Sequence, residues 1–338
     1  MLHSCEPNAF YTTSTHREKS HSFDYIKVFI RTHAYFPVTT HLWNGKDYSS
    51  TPCQAHRTIF DFSERRHVIA QHPHGPVALG GGMLLPQLTP WGWDFFSRLR
   101  VGTASAVMMA PFVKDFHALF GCIDASRSVL DRAMATGHSI LLLPGGIKEQ
   151  LMVPKPGKEP IVLRKRRGFI RLALSHGAML TPSLAFGERR LYNYSPFMAK
   201  ISTQLKKWFN AGIPAITGRL YSLTPFARPM NIVLAKPIDT VVWLQQYRMK
   251  QAAAKPASGD NDTSSHAESN GSMVQRPAAG AVKANAADHT PSLPLGSSVC
   301  VTDEEVQALL DEYIVLIKNL FDDLKGRFGS EDLELEIL

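Results

Sequence analysis

Apolar positions along this chain fall into two rhythms. Residues 68–71, 139–143, 180–186 and 231–235 are brief apolar runs bounded by proline, glycine or polar residues, and they predict buried strands. Between them, residues 93–99, 126–136 and 168–176 carry apolar side chains at helical spacing. Strands alternating with helices predict an α/β architecture: a central, mostly parallel sheet flanked by helices. One further helical pattern lies near the C-terminus. Thr302-Asp303-Glu304-Glu305 reads as a capping box, and Val306, Leu309, Leu310, Tyr313, Ile314, Ile317, Leu320, Phe321 and Leu324 follow it. Lys325-Gly326-Arg327 supplies the stop. The polar face of this stretch is mainly acidic, so an amphipathic helix docked on the core is expected rather than one lying on a membrane.

The same pattern divides the chain. Residues 1–23 are polar and predict a disordered tail with no apolar secretory core. Residues 24–250 carry the strands and helices of the main folded domain. From 251 to 300 the composition shifts to Ala, Ser, Pro, Asn, Gly and Asp, too poor in apolar side chains to offset ordering entropy, which predicts a disordered insertion. Residues 301–338 hold the C-terminal helix. The longest stretch without Asp, Glu, Lys or Arg, 67–93, is broken throughout by proline and glycine, so no spanning helix is expected.

Charge and cysteine usage narrow the chemistry. A net charge of +8 over 338 residues favours an acidic partner: phosphates, anionic membrane or nucleic acid. Cys5, Cys53, Cys122 and Cys300 are scattered, with neither disulfide nor zinc spacing, so no metal is expected. Aromatic residues do not interleave with the basic ones, and no nucleic-acid-binding signature occurs. Nucleic acid is therefore not the expected partner.

Three constellations carry chemistry. The first is His72-Pro73-His74-Gly75, immediately after the strand at 68–71, where an open α/β sheet builds its sites. Imidazole suits proton transfer near neutrality, and either histidine can serve as the base, His74 standing nearer the flexible Gly75. The second is an apolar run into Pro144-Gly145-Gly146-Ile147-Lys148-Glu149, whose paired glycines let backbone amides approach a ligand oxygen. Its Glu149 can orient an imidazole if it lies near one. The third is the basic run of Lys155, Lys158, Arg164, Lys165, Arg166, Arg167 and Arg171, with Arg167-Gly168-Phe169 opening a helix, a plausible seat for phosphates. No Gly-x-Ser-x-Gly elbow occurs and the cysteines lack catalytic context, so a base acting on a substrate hydroxyl is expected, with no covalent enzyme intermediate.

Tyr35-Phe36-Pro37, His72-Pro73-His74-Gly75, Gly145-Gly146 with Glu149, Arg167-Gly168-Phe169, and Pro182 through Phe186-Gly187-Glu188 occur in the order seen in the type-2 diacylglycerol acyltransferase family. The chain resembles that family, which includes monoacylglycerol and wax-alcohol acyltransferases, from about Asp24 to Asp239, and again at Arg327-Phe328-Gly329. The resemblance implies a glycerolipid-acyltransferase-like fold. It also implies transfer of a fatty acyl group from acyl-CoA, as co-substrate, to an acylglycerol or fatty alcohol, with no other cofactor. His72, His74 and Glu149 are then the catalytic residues, and amides at Gly75, Gly145 or Gly146 hold the oxyanion. Arg164, Lys165, Arg166, Arg167, Gly168, Phe169 and Arg171 would bind substrate. The expected location is the cytosolic face of the endoplasmic reticulum or a lipid droplet, with the apolar stretch 76–93 as docking surface or acyl-tunnel wall. Two departures stand out: a polar tail where the family carries an apolar hairpin, and the 251–300 insertion. A catalytically silent lipid-binding protein is the reading from another class.

Overall fold

A computed structural model of the chain describes residues 37–45, 48–49, 60, 62, 64–87, 97–109, 111–119, 121–153, 155–195, 197, 201, 204, 216–222, 224–254, 294 and 296–338. Its elements run β1 (Val38–Trp43), β2 (Tyr48–Ser49), β3 (His67–His72), α1 (Leu79–Gln87), β4 (Leu99–Thr103), α2 (Ser105–Met109), α3 (Val113–Leu119), β5 (Cys122–Asp124), α4 (Arg127–Ala135), β6 (Ser139–Leu142) and α5 (Gly146–Gln150). They continue with β7 (Lys158–Ile161), α6 (Gly168–His176), β8 (Met179–Phe186), β9 (Asn193–Tyr194), β10 (Ile216–Thr217), β11 (Met230–Ala235), β12 (Ile238–Asp239), α7 (Thr240–Ala254), α8 (Asp303–Leu324) and β13 (Glu334–Ile337).

The main sheet has the order β2-β1-β11-β8-β3-β6-β4-β5, with β12 beside β8. β8, β3, β6, β4 and β5 run parallel, β1 runs parallel to β11, and β11 meets β8 antiparallel. The expected α/β architecture with a mostly parallel sheet is the one observed. β3 and β8 are buried at every position, so their apolar residues occupy both faces instead of alternating with exposed polar ones. Val68 and Ala70 join one core cluster with Leu174 and Leu310, while Ile69 joins another on the opposite face with Phe60, Leu84 and Leu141. Pro182 is tolerated mid-sheet because it falls where β8 changes partner, between the β12 pairing that ends at Leu180 and the β11 pairing that starts at Ser183.

α8 begins at the capping box read from the sequence: the Glu305 amide donates to Thr302 Oγ1 at 3.2 Å and the Thr302 amide to Glu305 Oε2 at 2.8 Å. Its buried stripe includes Val306, Leu309, Leu310, Tyr313, Ile317, Leu320, Phe321 and Leu324, packed in the same cluster as α6. α7 was not expected, because Val241-Val242 and a polar second half give little helical periodicity. Asp239 starts it by accepting from the Val241 and Val242 amides at 3.0 and 3.2 Å. Contacts with α8 hold it: Trp243 Nε1 donates to Glu312 at 2.8 Å, and Arg248 pairs with Glu305 at 2.6 Å.

Several expectations need correction. Of the helix expected at 93–99, residues 93–96 lie outside the described residues, and Leu99 opens β4. α7 crosses the boundary drawn at 250 and runs to Ala254, since alanines readily extend a helix already formed. At the other end of the expected insertion, the Val299 amide donates to the Ser175 carbonyl at 2.8 Å and Arg248 donates to the Cys300 carbonyl at 2.9 Å. The centre of the insertion and the tail at 1–23 lie outside the described residues. On composition, deleting 256–293 behind a short Gly-Ser bridge should leave the thermal midpoint unchanged. Deleting 251–300 should cost about 1–3 kcal/mol through these lost contacts, as read by thermal unfolding. In the stretch considered for docking, Leu84 is fully buried and Leu79 packs against the core, while Leu88, Trp91 and Trp93 lie outside the described residues. Among the described residues no helix is long and apolar enough to cross a membrane.

Candidate active site

β8, β3 and β6 are adjacent and parallel, so their carboxyl ends open on one edge of the sheet. His-Pro-His-Gly follows β3, Pro144-Gly145-Gly146 follows β6, and Gly187-Glu188-Arg189 follows β8. Topology alone thus gathers three separated motifs at the place where parallel sheets build sites.

The two histidines have different surroundings. His72, the last residue of β3, is fully buried, with Nε2 3.1 Å from the Tyr313 hydroxyl and its ring against Phe169 and Tyr313. Burial pushes its pKa down to about 3, so it is a neutral core imidazole at physiological pH. His74 is part-exposed. Its Nδ1 lies 2.9 Å from the Gly75 carbonyl, which can only accept, so Nδ1 carries the proton and Nε2 keeps its lone pair. Burial lowers the His74 pKa, with smaller contributions in the same direction from Arg189 and Arg166, against the opposing Gly75 hydrogen bond.

Glu149 does not meet an imidazole, contrary to the orienting role expected for it. Its Oε1 accepts from the His74 amide, and its Oε2 accepts from the Val162 amide at 2.9 Å, so it ties the His-Pro-His-Gly backbone to the segment after β7. Burial raises its pKa, opposed by those two amides and by Arg189 and Arg166. The paired glycines serve this placement. A Cβ on Gly145 would collide with the Glu149 carboxyl, and Gly146 takes a left-handed φ of 57°. The Gly146 amide donates to the Leu143 carbonyl at 3.1 Å, which removes it from the expected oxyanion donors; Gly75 and Gly145 remain.

The basic segment divides in the same way. Arg164 donates to the Ile337 carbonyl at 3.0 Å, and Arg171 pairs with Asp303, so both tether the C-terminal region. Lys158 pairs with Glu334 and Lys155 with Glu336, because β13 lies parallel to β7. Phe169 is a core side chain, its ring centroid 5.2 Å from that of Tyr313. Arg166 donates to the Gly145 carbonyl at 2.9 Å, while Lys165 and Arg167 stand exposed at the start of α6 beside Gly168. Of the substrate-binding set, Arg164, Arg166, Phe169 and Arg171 therefore make contacts within the fold, and Lys165, Arg167 and Gly168 stay available to a ligand. Arg190 donates to the carbonyls of Phe328 and Gly329, bringing the C-terminal motif to the end of β8.

Sequence reasoning missed Glu159, Glu188 and Arg189, all buried here or nearly so. The signal that could have found Glu188 and Arg189 is charge placed directly after a strand that carries no charged residue.

The model of the family described as "Diacylglycerol acyltransferase" matches residues 9–250. The chain belongs to the diacylglycerol acyltransferase family. Among curated members, the chain is 31% identical over 209 residues to "Diacylglycerol O-acyltransferase 1" of Schizosaccharomyces pombe, covering 56% of this chain and 58% of that protein. It is 28% identical over 222 residues to human "Acyl-CoA wax alcohol acyltransferase 2", covering 58% and 63%, and 30% identical over 200 residues to human "2-acylglycerol O-acyltransferase 3", covering 52% and 56%. The chain thus spans less than two thirds of the length of each of these relatives. The crystal structure of the 1-acyl-sn-glycerophosphate (LPA) acyltransferase PlsC from Thermotoga maritima superposes with a TM-score of 0.37 at 12% identity, over 73% of this chain and 85% of that one. Diacylglycerol acyltransferase family membership covers the whole His-Pro-His-Gly to Gly187-Glu188 site, whereas α8 and β13 lie beyond the matched residues.

Proposed function

We propose that this chain is an acyl-CoA-dependent O-acyltransferase that moves a fatty acyl group to the hydroxyl of an acylglycerol, foremost diacylglycerol to triacylglycerol. The observation that carries the reading is His74: a part-exposed imidazole at the carboxyl edge of the sheet, its Nδ1 proton held by Gly75 and its Nε2 unprotonated. Nε2 takes the proton of the acceptor hydroxyl as that oxygen attacks the thioester carbonyl carbon. The Gly75 and Gly145 amides are the donors available to the oxyanion. When the tetrahedral adduct collapses, the carbon–sulfur bond breaks and the imidazolium returns its proton to the departing CoA sulfur. The lowered pKa of His74 favours that return. His72 and Glu149 hold the turn that presents His74, His72 through Tyr313 and Glu149 through the His74 amide.

Lys165 and Arg167 suit the phosphates of CoA. Their double replacement by alanine should raise KM for acyl-CoA about tenfold, the loss of roughly 1.4 kcal/mol of charge-assisted binding, with kcat little changed. KM for an acyl-pantetheine, which lacks those phosphates, should stay the same. An unchanged KM for acyl-CoA would remove these residues from the site.

The test of the function follows CoA thiol release by the full chain with a panel of acceptors: diacylglycerol, 2-acylglycerol and long-chain alcohol. Thiol release that depends on an acceptor, largest with diacylglycerol, is the expected result. A larger rate with 2-acylglycerol or alcohol would reassign the acceptor, and no acceptor-dependent release would leave a lipid-binding protein. Lipid substrates would suit a location at the cytosolic face of the endoplasmic reticulum or on a lipid droplet, which is the location proposed for the chain.

A further inference from the structure

Three carboxyl groups stand behind the His-Pro-His-Gly turn, and the mechanism above uses only Glu149. Glu159 is held in an ion pair with Arg189, at 2.5 Å. Glu188 has no such partner: its residue is 1% exposed, and neither carboxyl oxygen closes a well-aligned hydrogen bond. Two glycines define its place. A Cβ on Gly75 would collide with the Glu188 carboxyl, and a Cβ on Gly80 would lie 2.6 Å from Glu188 Oε2. Gly75 closes the His-Pro-His-Gly turn and Gly80 is the second residue of α1. Between them the chain passes through Ala78 at a φ of 56°, a left-handed conformation that alanine adopts only under constraint. Glu188 therefore fills a space that both the turn and the helix leave free of side chains.

We infer that Glu188 is a positioning residue for His74, its carboxyl wedged between Gly75 and α1 so that the Gly75 carbonyl stays where it holds the His74 Nδ1 proton. The inference rests on the reading of His74 as the base. The groups around Glu188 agree with a neutral wedge. Burial raises its pKa to about 8; the Gly80 and Leu79 amides and Arg189 oppose the rise, and Glu149 adds to it. Tyr192, pushed up to about 12 by burial, and Tyr194, pushed higher still, also lie within its field and stay neutral over the working range. His74 sits in the turn itself. Above its own pKa, Glu188 places a second buried negative charge near Glu149, and the turn loosens. In linkage terms, the folded chain keeps a proton that the unfolded chain gives up. Stability is therefore full below the ordinary glutamate value of 4.5 and is lost as pH rises toward 8.

The experiment compares the full chain with Glu188→Gln, which is neutral and nearly isosteric, and Glu188→Ala, which empties the space. Labelled acyl transfer should show kcat about 30-fold lower in Glu188→Ala with KM for acyl-CoA nearly unchanged, and Glu188→Gln should recover about tenfold of that loss. The wild type should lose turnover as pH passes about 8, whereas Glu188→Gln should lack that alkaline limb. A second readout needs no turnover: the rate at which diethyl pyrocarbonate modifies His74 at neutral pH, mapped by mass spectrometry. That rate should change about threefold or more in Glu188→Ala and return in Glu188→Gln. A wild type without acyl transfer defeats the functional reading alone, because His74 modification still decides the positioning role. If Glu188→Ala does not fold, the alkaline limb in wild type and Glu188→Gln decides it. The same alkaline limb in both proteins, or equal His74 modification in wild type and Glu188→Ala, overturns the inference.

Discussion

Replacing His74 with alanine lowers kcat by about two to four orders of magnitude and leaves the fold intact, the usual span for loss of a general base. The fold survives because His74 is part-exposed and its own hydrogen bond is to the adjacent residue, Gly75. The wild-type pH profile should carry the same signature. The His74 pKa lies below the ordinary 6.5, so turnover should persist below that pH and fall only when the imidazole finally takes a proton. Steady-state kinetics of wild type and His74→Ala across this range check both statements. An acidic limb centred above 6.5, or a variant as active as the wild type, would contradict them.

The largest effect on stability is expected at Tyr313. Truncation to alanine costs about 3–5 kcal/mol, the range for removing a fully buried aromatic side chain. Tyr313 is 0% exposed, sits in the core cluster shared by α6 and α8, and carries the hydroxyl that meets His72. Tyr313→Phe keeps the packing and loses the hydroxyl's hydrogen bonds to His72 and, at 3.4 Å, to the Ala70 carbonyl, at a cost of about 0.5–1.5 kcal/mol each. Denaturant unfolding of the two variants separates these contributions. The burial of His72 gives an acid signature of its own. His72 stays neutral in the folded chain down to about pH 3, whereas the unfolded chain takes a proton near 6.5. Stability therefore falls as pH drops through that window, by up to about 1.4 kcal/mol per unit. A Tyr313→Ala chain as stable as the wild type would show that α8 does not support the site.

How legible the sequence was depended on whether the signal was local. The strands at β3, β6, β8 and β11 and the helices α4, α6 and α8 are carried by runs of apolar residues or by caps such as Thr302 with Glu305, and they stand where the pattern places them. α7 was illegible because its support comes from Asp239 before it and from Glu305 and Glu312 on a helix far along the chain. The site followed the same rule. The His-Pro-His-Gly turn and the paired glycines announce themselves by residue type. What Glu149 touches depends on β6 lying beside β3 and on where the segment after β7 falls, and no spacing in the sequence states that its carboxylate holds backbone amides rather than a ring. The basic run misled for the same reason. Its partners Asp303, Glu334, Glu336 and the Ile337 carbonyl come from the C-terminal region, which folds back onto it. Glu188 closes the motif that runs from Pro182, but no role for it or for Arg189 is legible until β8 is seen at the centre of the sheet, where both are buried.

Activation of the acceptor hydroxyl by His74 for direct attack on the thioester can be followed in a single-turnover experiment with the full chain and acyl-labelled CoA. Without acceptor, label should stay on CoA and none should become bound to protein. After diacylglycerol is added, label passes into triacylglycerol in wild type and scarcely at all in His74→Ala. Label trapped on the protein and then chased into lipid would contradict the account, as would equal transfer by wild type and His74→Ala.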